Sequence, residues 1–159
     1  MSTPLEPVRR RQSFTGLAPR AIFDVIADIP SYPQVFKEMS EARVLEVDGQ
    51  RTRAEFKLPM LLPVRYVLDL VCDPQALSVS WTFVEGDVVD QNEGGWRLAA
   101  EEGGTSVAYF VTLSVRAPVP GFMLRKIVDG LVSASLPGMF KALEAEVRRR
   151  AAASGALPG

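Results

Sequence analysis

The spacing of apolar residues changes period twice along the chain. Pro7 to Phe14 alternates apolar and polar positions and reads as a strand with a solvated outer face. In the run APRAIFDVIADI, Ala21, Ile22, Val25 and Ile26 then recur at helical spacing, with Pro19 where a first helical turn tolerates proline. Pro30 ends that helix. Because proline pushes its predecessor out of the α region, Ile29 is predicted to be extended, with a second short helix restarting between Ser31 and Phe36. ADIPSYPQVF is therefore a corner where two short helices meet.

Beyond the corner the period becomes two and stays so for most of the chain. Strands are predicted at Ala42 to Asp48, Thr52 to Leu58, Pro63 to Cys72, Leu77 to Val84, Val88 to Ala100 and Thr105 to Ala117. Asp48-Gly49, Gly86 and Gly103-Gly104 sit between them, where hairpin turns favour residues that tolerate positive φ, so the strands form an antiparallel meander. Alternation separates two faces: Val107, Tyr109, Val111, Leu113 and Val115 share the greasier one, as do Val64, Tyr66, Leu68, Leu70 and Cys72, and Val79, Trp81 and Phe83. An apolar face of that extent needs a cover. The period returns to helical in PGFMLRKIVDGLVSASLPGMFKALEAEVRRR, through Leu124, Ile127, Val128, Leu131, Met139, Leu143 and Val147. This predicts one long helix across the sheet, kinked at Pro137-Gly138. Arg148, Arg149 and Arg150 sit at the end where cations suit the helix dipole, and AAASGALPG beyond them reads as a frayed tail.

Composition narrows the chemistry. The chain has 159 residues, the size of one domain with a sizeable core. With 18 basic and 19 acidic residues it has no global pull toward nucleic acid. Cys72 is the single cysteine, which excludes an intrachain disulfide and a cysteine cluster for metal and suits a reducing, cytoplasmic setting. There is no histidine, so the usual general base, the commonest zinc ligand and every Ser-His or Cys-His pair are absent. Arg10 and Arg11 ahead of Phe14 have no apolar stretch after them, so neither a signal peptide nor a membrane span is expected, while transient contact with a membrane surface stays open. Arg65 and Asp69 read as a solvated outer face, since only the opposite register would make them a polar anchor. Asp87, Asp90, Asn92 and Glu93 crowd one hairpin, but their spacing fits no calcium loop. Gly94-Gly95 has no strand-to-helix transition after it to cradle a phosphate, and a bulge before Trp96 accounts for it. No catalytic residue, metal ligand or cofactor site is assigned.

The order strand, two short helices, six antiparallel strands and long helix resembles the START-like helix-grip superfamily (SRPBCC). Within it, the likeness is to the polyketide cyclase/dehydrase group and its coenzyme Q-binding branch, which includes relatives described as ribosome-association toxins. The matching words are IADIPSYPQVF, ARVLEV, WTFVEGDVVDQNEGGWRL, GGTSVAYFVTLSV and LPGMFKALEAEV. They imply an α+β helix-grip domain over residues 7–150, between tails at 1–6 and 151–159, with a strongly curved seven-stranded sheet. The resemblance also implies a tunnel between sheet and long helix, one end closed by the corner with Tyr32 and Pro33 pinning it. Alternation and that geometry together give a candidate lining of Phe36, Phe56, Tyr66, Leu68, Trp81, Phe83, Trp96, Tyr109, Leu124, Ile127, Val128 and Leu131, each of which plain core packing would also explain.

Three functions are compatible with this picture. The first is noncatalytic binding or transport of a hydrophobic small molecule, such as a lipid, an isoprenoid quinone or a polyketide-like compound. The second is a cyclase or dehydratase, which without histidine would rely on Tyr, Arg, Asp or Glu. The third is a protein-interaction module with an unidentified partner. Apolar enclosure without an acid–base constellation favours the first.

Overall fold

The structure, a computed structural model, describes residues 2–59, 63–116, 120–128 and 136–155. Strands β1 (Ser2–Pro4) and β2 (Val8–Thr15) lead into helix α1 (Pro19–Ile26), a 3-10 turn (Ile29–Ser31) and helix α2 (Tyr32–Val35). Six strands follow: β3 (Glu41–Asp48), β4 (Arg51–Leu58), β5 (Val64–Asp73), β6 (Ser78–Gly86), β7 (Val89–Glu101) and β8 (Gly104–Arg116). Helices α3 (Gly121–Val128) and α4 (Leu136–Ala153) complete the described chain.

Neighbouring strands from β3 to β8 pair antiparallel, and β2 returns to β8, giving the sheet order β2-β8-β7-β6-β5-β4-β3. Residues 1–6, expected as a tail, contribute more than that. β2 pairs with β8 only as far as Val111, and Ser2–Pro4 continues the same edge opposite Ser114–Arg116 as an eighth, three-residue strand. Backbone groups that a bare edge would leave unpaired are thereby satisfied.

The sheet is curved by register breaks and by glycine. Bulges interrupt the ladder between Val44 and Glu46 on β3, opposite Val67 and Leu68 on β6, and between Val89 and Gln91 on β7; each adds twist and bends its strand. No bulge precedes Trp96: Gly94 and Gly95 lie in regular register with Val111 and Phe110. They are needed for close approach, because a Cβ on Gly94 would lie 2.1 Å from the Phe110 carbonyl oxygen and one on Gly95 2.8 Å from that of Val79. Gly49 and Gly103 occupy hairpin turns at φ 62° and 81°, but Gly86 lies at ordinary φ, where a Cβ would lie 2.5 Å from the Val89 carbonyl oxygen.

The corner departs from its prediction in detail. α1 already ends at Ile26, and Ile29 enters the 3-10 turn instead of extending; Asp28, at φ −88° and ψ 73°, makes the break one residue earlier. Of the long helix α3 and α4 are described, and the kink expected at Pro137-Gly138 adjoins residues 129–135, which lie outside the described ones. α4 carries on to Ala153, past the expected start of the tail.

α1 packs on α4 and on the inner face of β6 and β7, and Phe140 of α4 meets the Trp96 ring edge-on at 5.5 Å. Ile22, Val25, Ile26, Val79, Val107 and Leu143 are completely buried there. The outer face of β4 to β6 is ionic. Glu55 accepts from Arg65 and Arg43, and Asp69 from Arg53 and Arg51, the last at 3.1 Å. Arg65 and Asp69 thus take the solvated face that alternation assigned them. Their partners hold both carboxyls, Glu55 chiefly through Arg65 and Asp69 chiefly through Arg53, below the usual carboxylate range.

Candidate functional site

The corner residue Tyr32 opens the site. Its buried hydroxyl donates to the Ile26 carbonyl at the end of α1, and its ring meets Phe36 edge-on at 5.3 Å and stacks on Phe56 at 6.1 Å. From the far side Arg150 of α4 reaches Asp28 at 3.0 Å and Ser31 at 3.3 Å. The corner is thereby fixed to both the first and the last described helix, and it turns Phe36 toward the sheet.

From Phe36 an unbroken succession of rings follows the inner face: Trp96 at 6.5 Å, Tyr109 at 4.7 Å from Trp96, and Trp81 at 5.9 Å from Tyr109. In the other direction Phe56 leads to Tyr66 at 5.7 Å. These rings surround a cavity of about 110 Å³, completed by Glu38, Met39, Leu58, Leu68, Leu70, Asn92, Val111, Leu113 and Met139. The exposed Glu38 and half-buried Met39 and Met139 mark its mouth, between the chain after α2 and the first turn of α4. A space of this size admits roughly one small ring, against the roughly 300 to 1,000 Å³ of pockets that enclose whole drug-sized ligands. A longer molecule would extend through the mouth, where two flexible methionines can repack around it.

β6 and β7 define the deep end. Their ladder stops at Trp81 and Gly94, beyond which β6 stays paired with β5 and β7 with β8 but not with each other. Where the two strands part, the Trp81 indole N–H donates to Asn92 Oδ1 at 2.9 Å. Burial pushes the phenols of Tyr32, Tyr66 and Tyr109 above the usual tyrosine range, so they are neutral hydroxyls. It also pushes the Cys72 thiol up, which argues against an activated nucleophile. Among the described residues there is no cluster of three metal-ligating side chains, and no helix is long and apolar enough to cross a membrane.

Of the sequence candidates, Phe36, Phe56, Tyr66, Leu68, Trp81, Trp96 and Tyr109 stand on the cavity wall. Phe83 and Leu124 are partly buried against the core and do not line it. On β6 Phe83 keeps the alternation of Trp81 and pairs with the lining residue Leu68, and the bulge follows it, so strand register does not account for its place off the wall. Ile127 and Val128 belong to α3, their side chains not among those described, and Leu131 lies outside the described residues. Sequence reasoning passed over Asn92, although it precedes Trp96 by four positions on one strand and so shares its face. It also passed over Leu70, Val111 and Leu113, whose alternation with named lining residues was the available signal.

A curved antiparallel sheet closed over an aromatic cavity by a corner of short helices and a C-terminal helix defines a helix-grip fold of the START type. Residues 15–140 match the family described as polyketide cyclase / dehydrase and lipid transport, and the chain belongs to that family. No curated protein matches the sequence. Among solved structures, TTHA0849 from Thermus thermophilus is 26% identical, with a TM-score of 0.79 over 91% of this chain and 99% of that one. The Zhui aromatase/cyclase from a Streptomyces species is 16% identical, with a TM-score of 0.83 over 96% and 99%. A START superfamily protein from Mycobacterium smegmatis is 18% identical, with a TM-score of 0.73 over 90% and 97%. The last two likenesses concern fold.

Proposed function

We propose that the protein is a noncatalytic carrier that holds a hydrophobic small molecule in the cavity between sheet and helices. The observation that carries this reading is the wall itself: seven aromatic side chains and a set of aliphatic ones, with every ionic pair of β4 to β6 on the opposite face. Such a wall excludes water and orients flat molecules, but supplies no group poised to move a proton, since its phenols stay protonated and its one carboxylate, Glu38, is exposed at the mouth.

Ligand classes in keeping with this are an isoprenoid quinone, a lipid or a polyketide-like compound. The fold shared with an aromatase/cyclase keeps a second reading open, in which the cavity folds a reactive chain and the Tyr66 or Tyr109 hydroxyl guides its closure. Native mass spectrometry of protein purified from its own cells tests the first reading. The expected result is a hydrophobic adduct that is recovered chemically unchanged after incubation with fresh protein. Turnover of that molecule, persisting through repurification, would overturn the noncatalytic assignment in favour of the second.

A further inference from the structure

The orientation of the Asn92 carboxamide follows from its one hydrogen-bond partner among the described residues. An indole N–H can only donate, so the Asn92 atom 2.9 Å from Trp81 Nε1 must be the carbonyl oxygen. The carboxamide NH2 therefore points away from Trp81. Asn92 is only 6% exposed, yet no partner for its NH2 occurs among the described residues. No fully enclosed side-chain nitrogen or oxygen there is left without a partner either. Both conditions hold only if Nδ2 faces accessible space, and the space Asn92 lines is the cavity. Gly94, the next inward position on β7, carries no side chain to stand between Asn92 and the Trp96 ring.

We propose that Asn92 is a fixed hydrogen-bond donor that selects, within the cavity, an uncharged planar ligand carrying an acceptor oxygen, such as an aromatic ketone, over both its hydrocarbon counterpart and a carboxylate. This rests on the carrier reading above. An apolar wall alone separates similar shapes weakly, whereas a buried donor left unpaired by the wrong ligand costs that ligand its desolvation. The Tyr66 and Tyr109 hydroxyls are the other polar groups of the wall without a partner among the described residues, and both are neutral donors. A carboxylate would find no cation among the described lining residues and would pass the negative Glu38 at the mouth.

The test compares α-tetralone, tetralin and naphthoate by calorimetric titration of the intact protein. Wild type is expected to bind tetralone at least about tenfold tighter than tetralin, and naphthoate more weakly than tetralone. Asn92→Leu alone would strand the Trp81 N–H, so the first variant is Asn92→Leu with Trp81→Phe, which removes both partners together. Asn92→Asp, which keeps an acceptor for the indole and removes both N–H groups, serves if the double variant does not fold. In either variant the tetralone-to-tetralin ratio is expected to fall to about one. Equal binding of tetralone and tetralin by wild type, a preference that survives both variants, or naphthoate matching tetralone would each overturn the anchor while leaving the carrier reading in place. Failure of all three compounds to bind would overturn the carrier reading and the anchor with it.

Discussion

The space between sheet and helices is filled differently at its two ends. Beneath α1 and α4 the filling is mainly aliphatic: Ile22, Val25, Ile26, Val79, Val107 and Leu143 leave no exposed surface, and Phe23 and Phe140 are buried with them. At the other end the wall is made of rings, Phe36, Phe56, Tyr66, Trp81, Trp96 and Tyr109, and it encloses about 110 Å³. Branched aliphatic side chains interdigitate and fill irregular gaps. Rigid rings set at mixed angles, stacked, tilted and edge-on, several with a polar tip to accommodate, leave room between them. One end stabilises the domain and the other is shaped to receive a molecule.

Truncation separates the two ends most strongly. Leu143→Ala opens a hole in the filled end, where the surroundings are held on every side, and is expected to cost about 2 to 5 kcal/mol. Denaturant titration measures it, and a loss well under 1 kcal/mol would show that this end is not close-packed. Enlargement sharpens the contrast. Val79→Phe should cost about 1 to 3 kcal/mol by overfilling. Leu113→Phe, on the cavity wall, should leave stability nearly unchanged and weaken binding of an aromatic ligand by occupying its volume. Equal destabilisation by the two would erase the distinction between the ends.

Much of this division was legible in the sequence. Period-two runs placed every strand from β2 to β8 to within one or two residues and put Tyr66, Leu68, Trp81 and Tyr109 on the inner face, because alternation is fixed by strand geometry once a strand is recognised. The places where reading failed are those where geometry is not local. Phe83 keeps the alternation of Trp81 and yet lies off the wall, and the pairing of Ser2–Pro4 depends on how far β2 runs along β8. Asn92 was grouped with acidic neighbours of its hairpin, since what gives it a role is Trp81, eleven residues away across the parting of two strands.

Smaller effects belong to the corner joining the two ends. Tyr32→Phe removes the hydrogen bond to the Ile26 carbonyl and should cost about 1 kcal/mol, with faster ligand exchange, as the adjoining Phe36 and Phe56 rings lose their fixed neighbour. Unchanged stability and exchange would remove the corner from the account. On α4, Glu146 accepts from Arg149 at 2.8 and 2.7 Å and from Arg150 at 2.8 Å, which holds its carboxyl down at about 2. A folded-state pKa below the unfolded one means stability that is complete above the ordinary carboxylate range and is lost as pH falls through it toward about 2. Melting temperature should therefore hold steady from neutrality down to about pH 5 and then decline. Glu146→Gln should reduce that decline without abolishing it, because Glu55 and Asp69 are held low in the same way.

Intrinsic fluorescence tests the central claim, that the ring-lined end receives a hydrophobic molecule, most directly. The chain has two tryptophans, Trp81 and Trp96, and both stand on the cavity wall. Titration with a hydrophobic aromatic ketone is expected to change the whole of the emission saturably, at one molecule per chain. Emission that stays constant while equilibrium dialysis shows the same compound bound would place the ligand elsewhere and contradict the assignment of this cavity.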